Sequence, residues 1–190
     1  IPLNTLSDNL KIPFFRTIGI NSIETRDLLK SLNLDLVVSL GNSYISSLVF
    51  NIPKFGMINA HHELLPEYQN AQSIIWQLYN KSRFTGYTIH KITKKIDGGP
   101  ILFRSSRDLE FKNSLGKTVS YNYAKSIIES SNGIIYAIEL LLKGEFENYH
   151  LSYNGNKGHY TTPSMFSFLR ICSNWIQMKR KYSNNNRKNY

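Results

Sequence analysis

Only one cysteine, Cys172, stands in the 190 residues, so no disulfide can close within the chain. That usage fits a reducing compartment and a cytoplasmic setting. Long hydrophobic runs are also missing. The longest, Ile134 to Leu142, is broken by Glu139 and falls well short of the ~18 residues of a membrane span. The first residues lack the basic-then-apolar layout of a signal peptide. Position 1 is not methionine, which leads to the expectation that further chain precedes Ile1. No G-x-G-x-x-G occurs, so a dinucleotide cofactor has no support. Acidic residues are absent from 161–190, and there is no internal repeat.

What is present suffices for a folded domain. Hydrophobic residues make up 41% of the chain and include 12 tyrosines and 10 phenylalanines, enough for a real core. The net charge of +10 is uneven. Arg170, Lys179, Arg180, Lys181, Arg187 and Lys188 supply most of it from the acid-free end. Such an end can meet nucleic acid, but no motif or regular aromatic spacing accompanies the charge, so a solvated end is the better reading. The expected layout is a domain over 1–150, an extension with a helix over 151–182, and a disordered basic tail over 183–190.

Hydrophobic periodicity predicts alternating strands and helices. Helices are expected at Ser22–Leu32, with Ser22 as cap, at Ala71–Tyr79, at Val119–Lys143 and at Met165–Lys181. Strands are expected at Leu34–Leu40, Met57–Ala60, Gly86–Ile92 and Ile101–Ser106. The long helix is assigned an apolar face of Ala124, Ile127, Ile128, Ile135, Ile138 and Leu142. The alternation implies an α/β fold with a doubly wound, mostly parallel sheet and C-terminal helices.

Two short motifs carry the chemistry. Asn59-Ala60-His61 lies on a predicted strand end, where residues two apart face the same side. Asp97-Gly98-Gly99-Pro100 follows after a further 36 residues and forms a tight turn. A hydrogen-bond donor, a proton carrier and an anion to tune it form an acyl-transfer constellation.

Between and around these motifs stand Leu65-Pro66 and Thr85-Gly86-Tyr87-Thr88-Ile89-His90. In this order and spacing the pattern resembles the formyltransferases that use 10-formyltetrahydrofolate, among them the glycinamide ribonucleotide, methionyl-tRNA and amino-sugar N-formyltransferases. The resemblance covers about Asp35 to Leu109. It implies a Rossmann-like sheet that here lacks its first β-α-β unit, with folate at the carboxyl ends of the strands. It makes Asn59, His61 and Asp97 catalytic. Asn59 donates to the developing oxyanion. His61 either donates when protonated or takes the amine's proton when neutral. Asp97 stabilises the imidazolium and raises the His61 pKa.

The resemblance assigns Ser43, Tyr44, Ile45 and Ser46 to the pterin-gripping loop. Thr93, Ile96 and Asp97 are assigned to its opposite side. His90 and Glu63 are candidate pocket residues, Glu63 standing where relatives often have Ser; a satisfied sheet histidine is the alternative for His90. His62 is expected to face the surface. A metal site from these histidines and Glu63 lacks the usual ligand spacing, so no metal is expected. Tyr68-Gln69-Asn70 replaces a common aromatic-Arg-Gly, and the lost Arg weakens the case for tRNA. Gly158-His159-Tyr160-Thr161-Thr162-Pro163 resembles the Gly-x-Tyr-x-x-Pro of tRNA and sugar enzymes. An amine on a nucleotide-linked amino sugar is therefore the leading acceptor, ahead of glycinamide ribonucleotide and methionyl-tRNA. A formyltetrahydrofolate hydrolase and a non-catalytic basic nucleic-acid-binding module remain as alternatives. No membrane partner is expected, and a homodimer is left open.

Overall fold

The structure, a computed structural model, describes residues 2–41, 43–70, 74–153 and 157–185. The expectations for Ala71–Ser73 and for the tail beyond Asn185 lie outside those residues. Among the described residues, six helices and four strands follow one another: α1 (Leu3–Leu10), α2 (Ile23–Ser31), β1 (Val37–Ser39), α3 (Ser47–Phe50), β2 (Met57–His61), α4 (Ile75–Tyr79), β3 (Phe84–Lys91), β4 (Ile101–Asp108), α5 (Leu115–Leu142) and α6 (Met165–Asn185). α1 and α3 are additions to the predicted elements. α6 carries the chain through Ser183–Asn185, which the sequence assigned to the disordered tail.

Local signals set several boundaries. Ser22 caps α2 by accepting a hydrogen bond from the Thr25 amide, and Ser114 caps α5 from Lys117 in the same way. Gly144, in a left-handed conformation at φ 73°, follows the end of α5.

The strands form one sheet in the order β1-β2-β3-β4. The fold is the expected Rossmann-like α/β class, but the sheet is mixed where a mostly parallel one was predicted. β1 and β2 run parallel, whereas β2–β3 and β3–β4 are antiparallel. The β3–β4 link has the physical reason in plain view. Residues 92–100 are too few for a parallel crossover. Lys91 N–H donates to the Pro100 carbonyl at 2.9 Å, closing the link as a hairpin. A Cβ on Gly99 would lie 1.8 Å from the Lys91 carbonyl oxygen, so only glycine fits this closure.

Three apolar clusters hold the elements. Ile58, Ala60, Tyr87, Ile89 and Leu102 of the sheet pack on Ala137 and Leu140 of α5. Ile74 and Leu78 meet Ile171 and Met178 of α6. Ile45, Val49, Phe50 and Met57 close the β1 end.

The orientation of α5 departs from the predicted one. Its buried residues are Thr118, Asn122, Ser126, Ser130, Gly133, Ala137 and Leu140. The predicted apolar face points away from the sheet, with Ile128 74% and Leu142 82% exposed. Small residues let the helix backbone approach the sheet, and its polar groups are satisfied there. Ser126 donates to the Gly86 carbonyl, and Arg107 donates to the Asn122 side chain and carbonyl and to Glu129. The nearest approach is at Gly133, where a Cβ would come within 2.7 Å of the Ile89 side chain and 2.9 Å of Phe103.

Gly133→Val should therefore destabilise the fold by about 1–3 kcal/mol despite its better helix propensity, because the added methyls overpack this contact. Equilibrium denaturant unfolding checks this. A variant as stable as the native chain would show that α5 stands off the sheet.

Candidate active site

β2 brings the first motif into place. Asn59 pairs in register with Ser39 of β1 and His90 of β3, so all three stand at one level of the sheet. His61 ends β2 opposite Thr88. The hairpin between β3 and β4 carries Asp97 back over this strand end, in a left-handed conformation at φ 47°. Asp tolerates that region better than most residues.

The three predicted catalytic residues converge. Asp97 Oδ2 lies 3.8 Å from His61 Nδ1, and Asp97 Oδ1 lies 3.6 Å from His90 Nε2. The Asn59 amide nitrogen is 3.3 Å from His90 Nε2. The hydrogen-bond partners fix the ring tautomers. His61 Nε2–H donates to the Tyr68 carbonyl at 2.8 Å, so the neutral ring turns a bare Nδ1 toward Asp97. His90 Nδ1–H donates to the Lys91 carbonyl at 3.1 Å, leaving Nε2 to accept from Asn59. His90 thus both lines the pocket and is a satisfied sheet histidine.

Tyr68-Gln69-Asn70 proves to be the cradle of this group. The Asn70 amide donates to Asp97 Oδ2 at 2.8 Å. The Gln69 side chain donates to the Asp97 carbonyl at 3.0 Å. The Gly158–Pro163 motif braces the cradle from behind. Gln69 N–H donates to the Gly158 carbonyl at 2.8 Å, Tyr160 N–H donates to the Gln69 carbonyl at 3.0 Å, and the Tyr160 ring stacks on Tyr68 and Trp76. A Cβ on Gly158 would lie 2.3 Å from the Glu67 carbonyl oxygen, which accounts for the glycine of that motif. Sequence reasoning read Tyr68–Asn70 only as a changed acceptor motif. Its role depends on pairings with residues 27 to 92 positions away, which no local pattern reveals.

The charges follow from these contacts. Burial alone would push Asp97 up, but the His90 ring, His61 and the Asn70 amide together outweigh it and hold the carboxyl at about 2. His61 also moves down, but there burial is the cause. Burial lowers its pKa below the ordinary 6.5, and the opposing pull of Asp97 and the Tyr68 carbonyl does not make up the difference. Asp97 does act upward on the His61 pKa, as expected, but burial exceeds it and the net shift is downward. The neutral imidazole beside an anionic carboxylate is the state near pH 7.

A pocket of about 520 Å³ opens on this group. Its size suits a small-molecule ligand. Ser43, Tyr44 and Ile45 line one wall, and Thr93, Ile96 and Asp97 line another. Asn21 clamps the first loop, donating to the Tyr44 carbonyl and accepting from the Ser46 amide, both at 2.8 Å. Ser46 itself does not line the pocket and instead stands just before the first turn of α3. His62, expected at the surface, lines the pocket and packs edge-on to Tyr123 of α5. Burial and the neighbouring His61 lower its pKa to about 4.

Glu63 also lines the pocket, only 1% exposed, and both carboxyl oxygens lack a hydrogen-bond partner. Burial, with a smaller contribution from Asp97, raises its pKa well above the ordinary 4.5. A carboxyl biased toward its neutral form thus faces the cavity.

The family model described as formyl transferase matches residues 7–120. The chain belongs to the formyl transferase family. A bifunctional polymyxin resistance protein ArnA from Wigglesworthia glossinidia brevipalpis is 38% identical over 115 residues, which are 58% of this chain and 18% of that protein. A methionyl-tRNA formyltransferase from Thermodesulfovibrio yellowstonii is 34% identical over 165 residues, covering 75% of this chain and 53% of the relative. The chain therefore spans from a fifth to about half the length of these curated relatives. Among solved structures, the formyltransferase PseJ from Anoxybacillus kamchatkensis, in complex with UDP-4,6-dideoxy-4-formamido-L-AltNAc and tetrahydrofolate, shares the fold at a TM-score of 0.59 and 18% identity. That match covers 97% of this chain and 87% of the other. Among the described residues, no helix is long and apolar enough to cross a membrane.

Glu63 gives a test of the site's electrostatics. Its pKa is higher folded than unfolded, so its contribution to stability is complete below the unfolded value and is lost as pH rises through the folded one. Glu63→Gln cannot ionise and escapes that loss. The melting temperature of the variant, relative to the native chain, should rise steadily from about pH 4.5 upward. A difference independent of pH would place an ionised, solvated carboxylate at this position.

Proposed function

We propose that this protein transfers a formyl group from 10-formyltetrahydrofolate to a primary amine, carried on a nucleotide-linked amino sugar. The observation that carries the reading is the convergence of the Asn59 amide, the bare His61 Nδ1 and the anionic Asp97 in the lining of one pocket. The loop walls at Ser43–Ile45 and Thr93–Asp97 are assigned to the pterin. The formyl group then sits among Asn59, His61 and Asp97, with the amine arriving from the open side.

The chemistry follows the geometry. The amine nitrogen bonds to the formyl carbon, and the carbonyl oxygen takes up negative charge. The Asn59 amide has two hydrogens; one is held by His90, which orients the other toward that oxygen. Such a donor contributes roughly 2.7–4 kcal/mol in comparable acyl transfers. His61 Nδ1 accepts a proton from the attacking nitrogen, and Asp97 stabilises the resulting imidazolium. The 3.8 Å gap between Nδ1 and the carboxylate leaves room for an N–H group that contacts both. His61 then returns the proton to N10 as the carbon–N10 bond breaks, giving a formamide and tetrahydrofolate.

The sugar nucleotide is favoured by the fold shared with PseJ over most of both chains. Methionyl-tRNA is the second reading, favoured by relatives at the sequence level. Gln69 weighs against it, since it stands where that resemblance places an Arg and its side chain is committed inward, donating to the Asp97 carbonyl.

Release of tetrahydrofolate from 10-formyltetrahydrofolate, followed across a panel of UDP- and dTDP-linked amino sugars, glycinamide ribonucleotide and methionyl-tRNA, tests the proposal. The sugar nucleotides should be formylated fastest. Equal release without any acceptor would make the protein a hydrolase. Asn59→Ala and Asp97→Asn should each lower turnover by on the order of a hundredfold or more, with tetrahydrofolate affinity nearly unchanged. Because the neutral form of His61 is the base, kcat/KM should decline only on the acid side, through an apparent pKa below 6.5.

A further inference from the structure

The outer face of α5 is apolar, regular and uncovered. Ala124, Ile128, Ser131, Ile135, Ile138 and Leu142 recur at alternating spacings of four and three, the repeat by which two helices pack along a common seam. This stripe lies diametrically opposite the residues that α5 buries on the sheet. Ile128 is 74% exposed, Ile135 55% and Leu142 82%. A contiguous apolar band of this kind marks an interaction surface rather than ordinary scatter of exposed side chains.

We propose that this face binds a second copy of the same chain, with the two α5 helices antiparallel about a two-fold axis. The charges beside the stripe favour that occupant. Along one flank stand Lys125, Asn132 and Glu139, spaced by seven. A two-fold, antiparallel pairing sets Lys125 against Glu139 of the partner subunit and Asn132 against Asn132 of the partner subunit. A parallel pairing instead sets like charges at the same level. Lys125 already holds Glu110 at 2.8 Å, and Glu139 of the partner subunit extends that pair into a small network.

The same register matches the shapes. It places Ile128 against Ile138 of the partner subunit, and Ile135 against the small Ser131 of the partner subunit. Leu142 meets Ala124 of the partner subunit. Large side chains thus face small ones in two layers, which lets the helices approach closely. The opposite flank carries Ile127, Ile134 and Leu141, apolar throughout, so no charge is buried there. Such self-complementarity is what an isologous two-fold interface requires.

The test uses the 190-residue chain in sedimentation velocity, with carbodiimide cross-linking and peptide mass spectrometry. The expected species has twice the 22.0 kDa chain mass. Lys125 and Glu139 lie about 21 Å apart along one helix, too far for a zero-length link, so a Lys125–Glu139 cross-link must join two copies. Ile128→Lys with Ile135→Lys should weaken dimerisation by on the order of a hundredfold, with the helical circular dichroism signal retained because both positions are solvent-facing. A monomer at all concentrations overturns the proposal. So does an assembly that survives the double substitution, or a dimer that yields no Lys125–Glu139 link.

Discussion

A carboxylate held out of water between two imidazoles sets the terms for everything around it. Asp97 is costly to bury as an anion, and the Asn70 amide donates to it at 2.8 Å while the His90 and His61 rings flank it. Each of these groups must then be placed by something else. β3 places His90 opposite Asn59, β2 ends at His61, and the turn after Tyr68 offers the Asn70 amide. The left-handed backbone at Asp97 and at Asn70, with φ of 47° and 52°, shows two segments both bent to satisfy this one group.

The imidazoles are tuned by the same arrangement. His61 gains a carbonyl partner from Tyr68 and loses water, and the loss dominates. In the proposed mechanism His61 is the base, which is useful near pH 7 only if it is unprotonated there, and burial supplies that condition while leaving the carboxylate proposed to stabilise the protonated form beside it. Glu63 and His62 share the pocket but lack such compensation. Both are pushed toward their neutral forms, which leaves Asp97 as the anion of the pocket's reactive end. The segment around Gly158, with Trp76, supports the site from behind. Gly158–Thr161 and Trp76 hold Tyr68–Asn70 in place through backbone pairing and ring stacking.

α5 shows how the fold and its surface are linked. Its buried side is built from hydroxyls, an amide, Gly133 and Ala137, so the helix sits close on β3 and β4. A close approach gains packing but leaves no depth for the isoleucines, which are turned outward. The helix is therefore amphipathic in an inverted sense: polar groups satisfied inside, apolar groups presented outside.

The sequence by itself determined the local chemistry and most element positions. Asn59 and His61 share a strand face because side chains alternate, Gly98-Gly99-Pro100 dictates a tight turn, and Ser22 and Gly144 bound helices through interactions within a few residues. The family pattern added that Asp97 belongs with Asn59 and His61, and the three do meet. Tertiary structure decided what depended on distant partners. The β3–β4 pairing became antiparallel through the closure at Gly99. The apolar face of α5 turned outward because Thr118, Asn122 and Ser126 found partners on the sheet side, which hydrophobicity cannot anticipate. The His61 pKa fell rather than rose because burial is a property of the assembled pocket, and no residue spacing reports it.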